Sequence, residues 1–201
     1  GIETFMLCRH HQSGFMGGAH VFPGGKVDPA DYPEDGDDYR AALNAAIRET
    51  REEAGLAISE DQLVYFAHWT TPEGARRRFA TWFFLCILDD DQEVEVDGGE
   101  IALHRWVRPD DAFAELADPH NPFRLMPPTY VSLVDIAEHC DCRTARQVLD
   151  RRDALVFEPR MVFVDDGICF LYAGDAGYGA GDIASAQANL EAAVEQAVGV
   201  L

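Results

Sequence analysis

GGKVDPADYPEDGDDYRAALNAAIRETREEAGL, from Gly24 to Leu56, is the stretch on which the reading of this chain turns. Its end, Arg48-Glu49-Thr50-Arg51-Glu52-Glu53-Ala54-Gly55-Leu56, sets carboxylates at i, i+3 and i+4. On an α-helix that spacing places Glu49, Glu52 and Glu53 on one face. Adjacent carboxylates repel one another, so bare stability does not explain them; divalent cations held by oxygen ligands do. The other reading is a solvated face with Glu/Arg pairs, because Arg48 and Glu52 stand at i, i+4. The helix is expected from about Asp38 to Ala54, with Asp37 or Asp38 capping its start and Gly55 its end. Leu43, Ile47, Thr50 and Ala54 make its core stripe, and the glutamates lie well away from that stripe. Ala42, Ala45 and Ala46, one turn earlier on the glutamate side, leave room for a metal and a substrate. Asp28 to Asp38 carries Asp28, Asp31, Glu34, Asp35, Asp37 and Asp38 among Pro29, Pro33 and Gly36. It reads as a solvated loop without regular structure. At the front, Gly24-Gly25 frees the backbone for close approach to a ligand, or makes an ordinary turn. The residues alone suggest metal-assisted attack of water on an anionic phosphorus centre.

These residues resemble the Nudix box: Gly, five residues, Glu, seven residues, then Arg-Glu-U-x-Glu-Glu-x-Gly-U, with U a bulky aliphatic. Phe22-Pro23-Gly24-Gly25-Lys26 matches its start and Arg48 to Leu56 its end, with Thr50 at the first U. The middle departs. Arg48 stands twenty-three residues after Gly25 where the box has fourteen, an expansion of nine. Counting forward from Gly25 puts Asp31 at the mid-box acid, counting back from Arg48 puts Arg40 there, and neither is assigned. The resemblance implies an α/β protein with the Nudix fold, a mixed β-sheet sandwiched between α-helices, with extra C-terminal helices. Pattern alone supports only mixed α and β.

By the same resemblance the chain hydrolyses the diphosphate of a nucleoside diphosphate linked to a moiety X. Mg²⁺ (or Mn²⁺) would be held by Glu49, Glu52, Glu53 and the Gly24 carbonyl, one glutamate serving as base. Arg48 would orient the glutamates by ion pairing. Glu100, just before a strand ending in Trp106-Val107, is a candidate further ligand or base; the alternative is an exposed acid at a strand start. Catalytic candidates are therefore Glu52, Glu49, Glu100 and Arg48. Arg9, Gly18 and Phe22-Pro23-Gly24-Gly25 stand at the spacing of a motif in the family's coenzyme A branch, from which Leu7, His10 and Gly14 depart. The expanded box, Trp69-Thr70-Thr71-Pro72 with Arg78-Phe79, and Tyr172-Ala173-Gly174-Asp175 resemble peroxisomal acyl-coenzyme A diphosphatases. Arg9 and Arg78 are the substrate-binding candidates. Arg76-Arg77-Arg78 meets an anionic substrate or marks a solvated strand end. ADP-ribose, dinucleotide polyphosphates and other diphosphates stay open as substrates. A nucleotide-binding or regulatory Nudix-fold protein with weak catalysis is the second reading, and an acidic scaffold protein the third.

The length of 201 residues suits one domain with elaborations. Residues 1–126 are expected to be the Nudix core, with the box at 24–56, and 127–201 an elaboration packed on it. The net charge of −20 argues against a nucleic-acid-binding surface. Five cysteines, an odd number with three in apolar runs, read as reduced thiols. Cys140-Asp141-Cys142 lacks zinc-site spacing. No apolar run reaches membrane-spanning length, no signal peptide is visible, and the cytoplasm is the expected compartment. The chain begins at Gly1 without Met, which leaves room for further residues upstream.

Strands are expected over Thr4 to His10, Ala19 to Phe22, Gln62 to Thr71, Phe79 to Leu88 and Glu100 to Val107. More are expected over Leu155 to Val164 and Gly167 to Tyr172, turning at Asp165-Asp166-Gly167. Helices are expected over Pro109 to Leu116, Tyr130 to Glu138 and Cys142 to Arg152. Gly174 to Gly181 is a glycine-rich loop to which no cofactor is given. An Ala-rich helix over Asp182 to Val198 docks on the domain or on a second subunit, so a homodimer is among the expectations.

Overall fold

The computed structural model describes residues 1–10, 17–88, 92–96, 98–99, 101–164, 167–175 and 178–179. Its strands and helices follow in the order β1 (Thr4–Arg9), β2 (His20–Val21), α1 (Asp38–Ala54), β3 (Val64–Thr70), β4 (Ala80–Leu85), β5 (Ile101–Val107), α2 (Pro109–Ala117), α3 (Pro127–Ala137), α4 (Cys142–Leu149), β6 (Leu155–Phe157), β7 (Arg160–Val164) and β8 (Gly167–Leu171). The chain forms two compact units. The first takes residues 1–66 and 84–153; the second takes 67–83 and the chain from 154 onward.

In the first unit β1 is the middle strand of a sheet ordered β2-β1-β5, antiparallel throughout. Successive side chains of a strand point to opposite faces, and both faces of β1 are apolar. Phe5 and Leu7 pack with Ala54 and Leu56 at the end of α1 and with Ile101. Met6 packs on the other face with Val107, Ala112 of α2, Phe123 and Leu133 of α3. A strand buried on both sides reads as a continuous apolar run rather than an alternating one, as Phe5-Met6-Leu7 does. The sheet therefore has helices on each face.

In the second unit β6 runs parallel to β3, pairing Ala67 with Leu155 and Trp69 with Phe157. The sheet order there is β4-β3-β6. The Trp69 and Phe157 rings stack at 4.2 Å. β7 and β8 form an antiparallel hairpin. The single strand expected over Leu155 to Val164 is two strands, β6 and β7, separated by Glu158-Pro159. Proline has no N–H to donate to a ladder, so pairing breaks there.

Other differences are local. The stretch expected to be an irregular solvated loop contains a 3₁₀ helix, Pro29–Asp31. Pro29 presets its first dihedral, Asp31 N–H donates to Asp28 O at 2.9 Å, and Asp28 N–H donates to Asp31 Oδ2 at 2.8 Å. A second 3₁₀ helix, Glu60–Gln62, delays the start of β3 to Val64. β4 ends at Leu85, short of the expected Leu88. The expected Asp182 to Val198 helix, the Asp165-Asp166 turn and much of the glycine-rich loop lie outside the described residues. The five cysteines form no disulfide. Among the described residues no helix is long and apolar enough to cross a membrane.

Candidate active site

Helix α1 begins and ends where its caps put it. Asp37 Oδ1 accepts the Arg40 N–H at 2.7 Å, and Gly55 adopts the left-handed conformation at φ 69° while its N–H closes onto Arg51 O at 3.0 Å. Leu43, Thr50 and Ala54 are buried as expected and Ile47 is half-buried. Ala42 and Ala45 are buried as well.

The glycine turn after β2 meets the last two turns of this helix. Gly24 N–H donates to Glu53 Oε2 at 2.8 Å. Glu53 is only 7 % exposed, so the expectation that all the glutamates stand away from the core fails for this one. A buried carboxylate needs donors, and the Gly24 N–H supplies one. Gly25 is pressed against the next acid. A Cβ there would lie 2.2 Å from Glu49 Oε1 and 2.4 Å from its Cδ, so any side chain would push the Glu49 carboxylate aside.

Arg48 ties the acids together. Its Nη1 donates to Glu49 Oε1 at 2.9 Å and to Glu52 Oε2 at 3.0 Å. Its Nε and Nη2 fork onto Asp31 Oδ1 and Oδ2 at 3.0 and 2.8 Å, and Nη2 also donates to Lys26 O at 3.0 Å. A guanidinium has five N–H donors, and these bonds use them all. The bond to Asp31 is the largest cause holding the Arg48 proton well above the ordinary guanidinium range. The same bond holds the Asp31 carboxyl below the usual carboxylate range. Asp31 is buried, and its carbonyl accepts Asn44 Nδ2–H at 2.8 Å.

Exposure rises from Glu53 to Glu49 to Glu52, whose side chain is 59 % exposed. Arg48 takes one oxygen from each of Glu49 and Glu52; Glu49 Oε2 and Glu52 Oε1 have no partner among the described residues. The acids as they stand do not close into a group of three around one ion, among the described residues. The free oxygens are nonetheless hard donors beside a turn with no side chains, and that donor set fits Mg²⁺ or Mn²⁺.

Behind the turn, His20 of β2 is buried against Phe123, ring centroids 4.2 Å apart. Among the described residues its Nδ1 finds no hydrogen-bond partner. Burial, then the Arg105 charge, push its pKa below the ordinary value, against an opposing pull from Glu115. Arg105 and Glu115 form a two-point ion pair at 2.9 and 2.5 Å.

The structure thus brings together Gly24, Arg48, Glu49, Glu52 and Glu53. Glu100 lies outside the described residues. Arg9 ends β1, in register with Ile101. Arg78 belongs to the second unit, where its Nε donates to Thr71 O at 3.1 Å. Asp31 is the residue that the sequence reading left unassigned. The signal was the forward count from Gly25, which lands on it; the backward count landed on Arg40 and cancelled it.

A helix carrying three glutamates against a glycine turn, on a sheet with helices on each face, defines a class. The chain belongs to the Nudix family: the NUDIX domain matches residues 3–127. It is 26% identical over 175 residues to a Caenorhabditis elegans protein named "Putative nudix hydrolase 7", covering 68% of this chain. The match takes in 56% of that relative, so the chain spans little more than half its length. A NUDIX hydrolase from Alicyclobacillus acidocaldarius shares the fold, with a TM-score of 0.64, 21% identity, and coverage of 76% of this chain and 90% of the other. A C. elegans Ap4A hydrolase solved as a binary complex is 26% identical, covers 56% of this chain and 73% of the other, and superposes with a TM-score of 0.36.

Proposed function

We propose that the chain is a hydrolase that cleaves the diphosphate of a small nucleoside diphosphate derivative. The observation that carries this reading is the convergence of Glu53 and Glu49 on Gly24-Gly25, with Arg48 fixing Glu49 and Glu52. When bound, Mg²⁺ (or Mn²⁺) supplies Lewis acidity to the phosphate oxygens and to the attacking water. Glu49, Glu52, Glu53 and the Gly24 carbonyl would hold it. Arg48 bridges Glu49 and Glu52 through one nitrogen and so holds one oxygen of each. Glu52, the most exposed of the three, is the acid we assign to accept the proton of the water, with Glu49 and Glu100 as the other candidates for that role. A new P–O bond forms to the water oxygen as the anhydride P–O bond breaks, and each product leaves with its phosphate. The buried Glu53 is the member tied to the backbone of the turn, through its Gly24 bond.

Coenzyme A and acyl-coenzyme A are the substrates we favour, on the upstream residues Arg9, Gly18 and Phe22-Pro23, with Arg9 and Arg78 as anion contacts. Residues 1–126 would form the catalytic core, in keeping with a family match ending at residue 127. Residues 127–201 would elaborate it, with a homodimer and a cytoplasmic location completing the reading and no nucleic-acid partner. The decisive experiment is a screen of coenzyme A, acyl-coenzyme A, ADP-ribose, NADH and diadenosine polyphosphates with Mg²⁺ and Mn²⁺, products read by mass. Turnover that needs the metal and falls about a hundredfold or more in Glu52→Gln is expected. Nucleotide binding without turnover would replace the hydrolase with the second reading, a nucleotide-binding or regulatory protein.

A further inference from the structure

The second unit holds a pocket of about 510 Å³ that the glutamate cluster does not use. Thr70, Thr71, Arg78, Arg160 and Tyr178 line it, together with Glu73 and Glu158. Its two guanidiniums are held by neutral groups. Arg78 Nε donates to the Thr71 carbonyl at 3.1 Å, which leaves both of its Nη groups unused. Arg160 lies over the Tyr178 ring at 5.0 Å and donates Nη1 to Gly179 O at 3.2 Å. Among the described residues neither is ion-paired with a carboxylate, Glu73 and Glu158 included. The ring itself is pinned, since Tyr178 Oη donates to Glu158 O at 2.8 Å. Thr71 Oγ1 accepts the Phe79 N–H at 3.1 Å, so its own O–H is left to donate. What sets Arg78 and Arg160 apart is that they share one pocket with their remaining N–H groups unspent.

We infer that this pocket binds a phosphate group, with Arg78 and Arg160 as its two cationic donors and the Thr71 hydroxyl as a neutral one. Guanidinium forks match the tetrahedral oxygens of phosphate, and a pinned, half-satisfied guanidinium pays little entropy to engage them. The inference rests on the geometry of the second unit and goes beyond the proposed hydrolysis. Of the Arg76-Arg77-Arg78 triplet it selects one: Arg78 lines the pocket, and Arg76 and Arg77 do not.

The test is a calorimetric titration of the full chain with inorganic pyrophosphate in EDTA, where the glutamate cluster repels the anion. Saturable one-to-one binding is expected, weakened about tenfold or more by Arg78→Gln and by Arg160→Gln. Arg77→Gln, which changes the net charge equally, is expected to bind as the parent does. Glu52→Gln is expected to bind as the parent does too, so failure of the hydrolase reading and failure of this one give different results. An equal loss in Arg77→Gln, or no saturable binding by the parent, overturns the proposal. Arg78→Lys keeps the charge and the fold; affinity equal to the parent would overturn the bidentate role given to Arg78.

Discussion

Asp31 and Gly25 set the geometry of the glutamates without standing among them. Removing one partner of a largely buried ion pair leaves the other uncompensated, so Asp31→Ala should cost about 2–4 kcal/mol in urea unfolding. Turnover should fall with it, because Arg48 would lose its fork and swing between Glu49 and Glu52. The folded-state carboxyl of Asp31 is depressed below its ordinary 3.8. Its contribution is therefore complete above that value and is lost as pH falls through and below it. A stability–pH profile of Asp31→Asn should be flatter than the parent's on the acid limb; an unchanged slope would sink this account. Gly25→Ala separates folding from chemistry. The new Cβ collides with the Glu49 carboxylate, the far end of a flexible side chain, so stability should change by less than about 1 kcal/mol. The same collision displaces a proposed metal ligand, and activity should drop about a hundredfold. Equal losses of both would mean the glycine serves the turn alone.

Helix α1 was legible to the residue because its determinants are local: a carboxylate before the first turn, an apolar stripe, a glycine after the last. Asp37→Ala should cost about 1 kcal/mol. Gly55→Ala should cost at least as much, since φ is 69° and the added Cβ would crowd Glu95 at 3.3 Å. Thermal melts of the two check both. The burial of Glu53 was not legible from the wheel. It comes from the chain at Gly24 folding over the flank of the helix, twenty-nine residues away in sequence. Strand limits were equally hidden, because a strand ends where its partner does, and β3 draws its partner β6 from far along the chain. The mid-box acid was obscured by the expansion. In the structure Asp31, where the forward count lands, shares Arg48 with the Lys26 carbonyl.

At the level of the whole chain, the charge of −20 would repel the anionic substrate proposed above. Added salt, up to about 0.15 M, should therefore raise kcat/KM rather than lower it, as screening shortens that repulsion. A fall would mean that local cations such as Arg9 and Arg78 govern encounter. His20 gives the molecule a second pH response. Its folded-state pKa is lowered from 6.5. The unfolded chain therefore takes up the proton first, and stability is complete above that value and declines as pH falls through it. His20→Phe should flatten the profile below about pH 6.5, read by urea midpoints. His68, lowered chiefly by burial in the second unit, acts with the same sign.

The 3₁₀ helix at Pro29–Asp31 has one more consequence, for protein engineering. Asp31 is clamped to Arg48 and Asn44, and Asp37 is clamped to the start of α1, so the segment from Tyr32 to Gly36 hangs between two fixed posts. Its closure entropy grows slowly with length. A foreign peptide or small reporter spliced between Glu34 and Gly36 should leave catalysis intact, which makes this expanded box a natural grafting port.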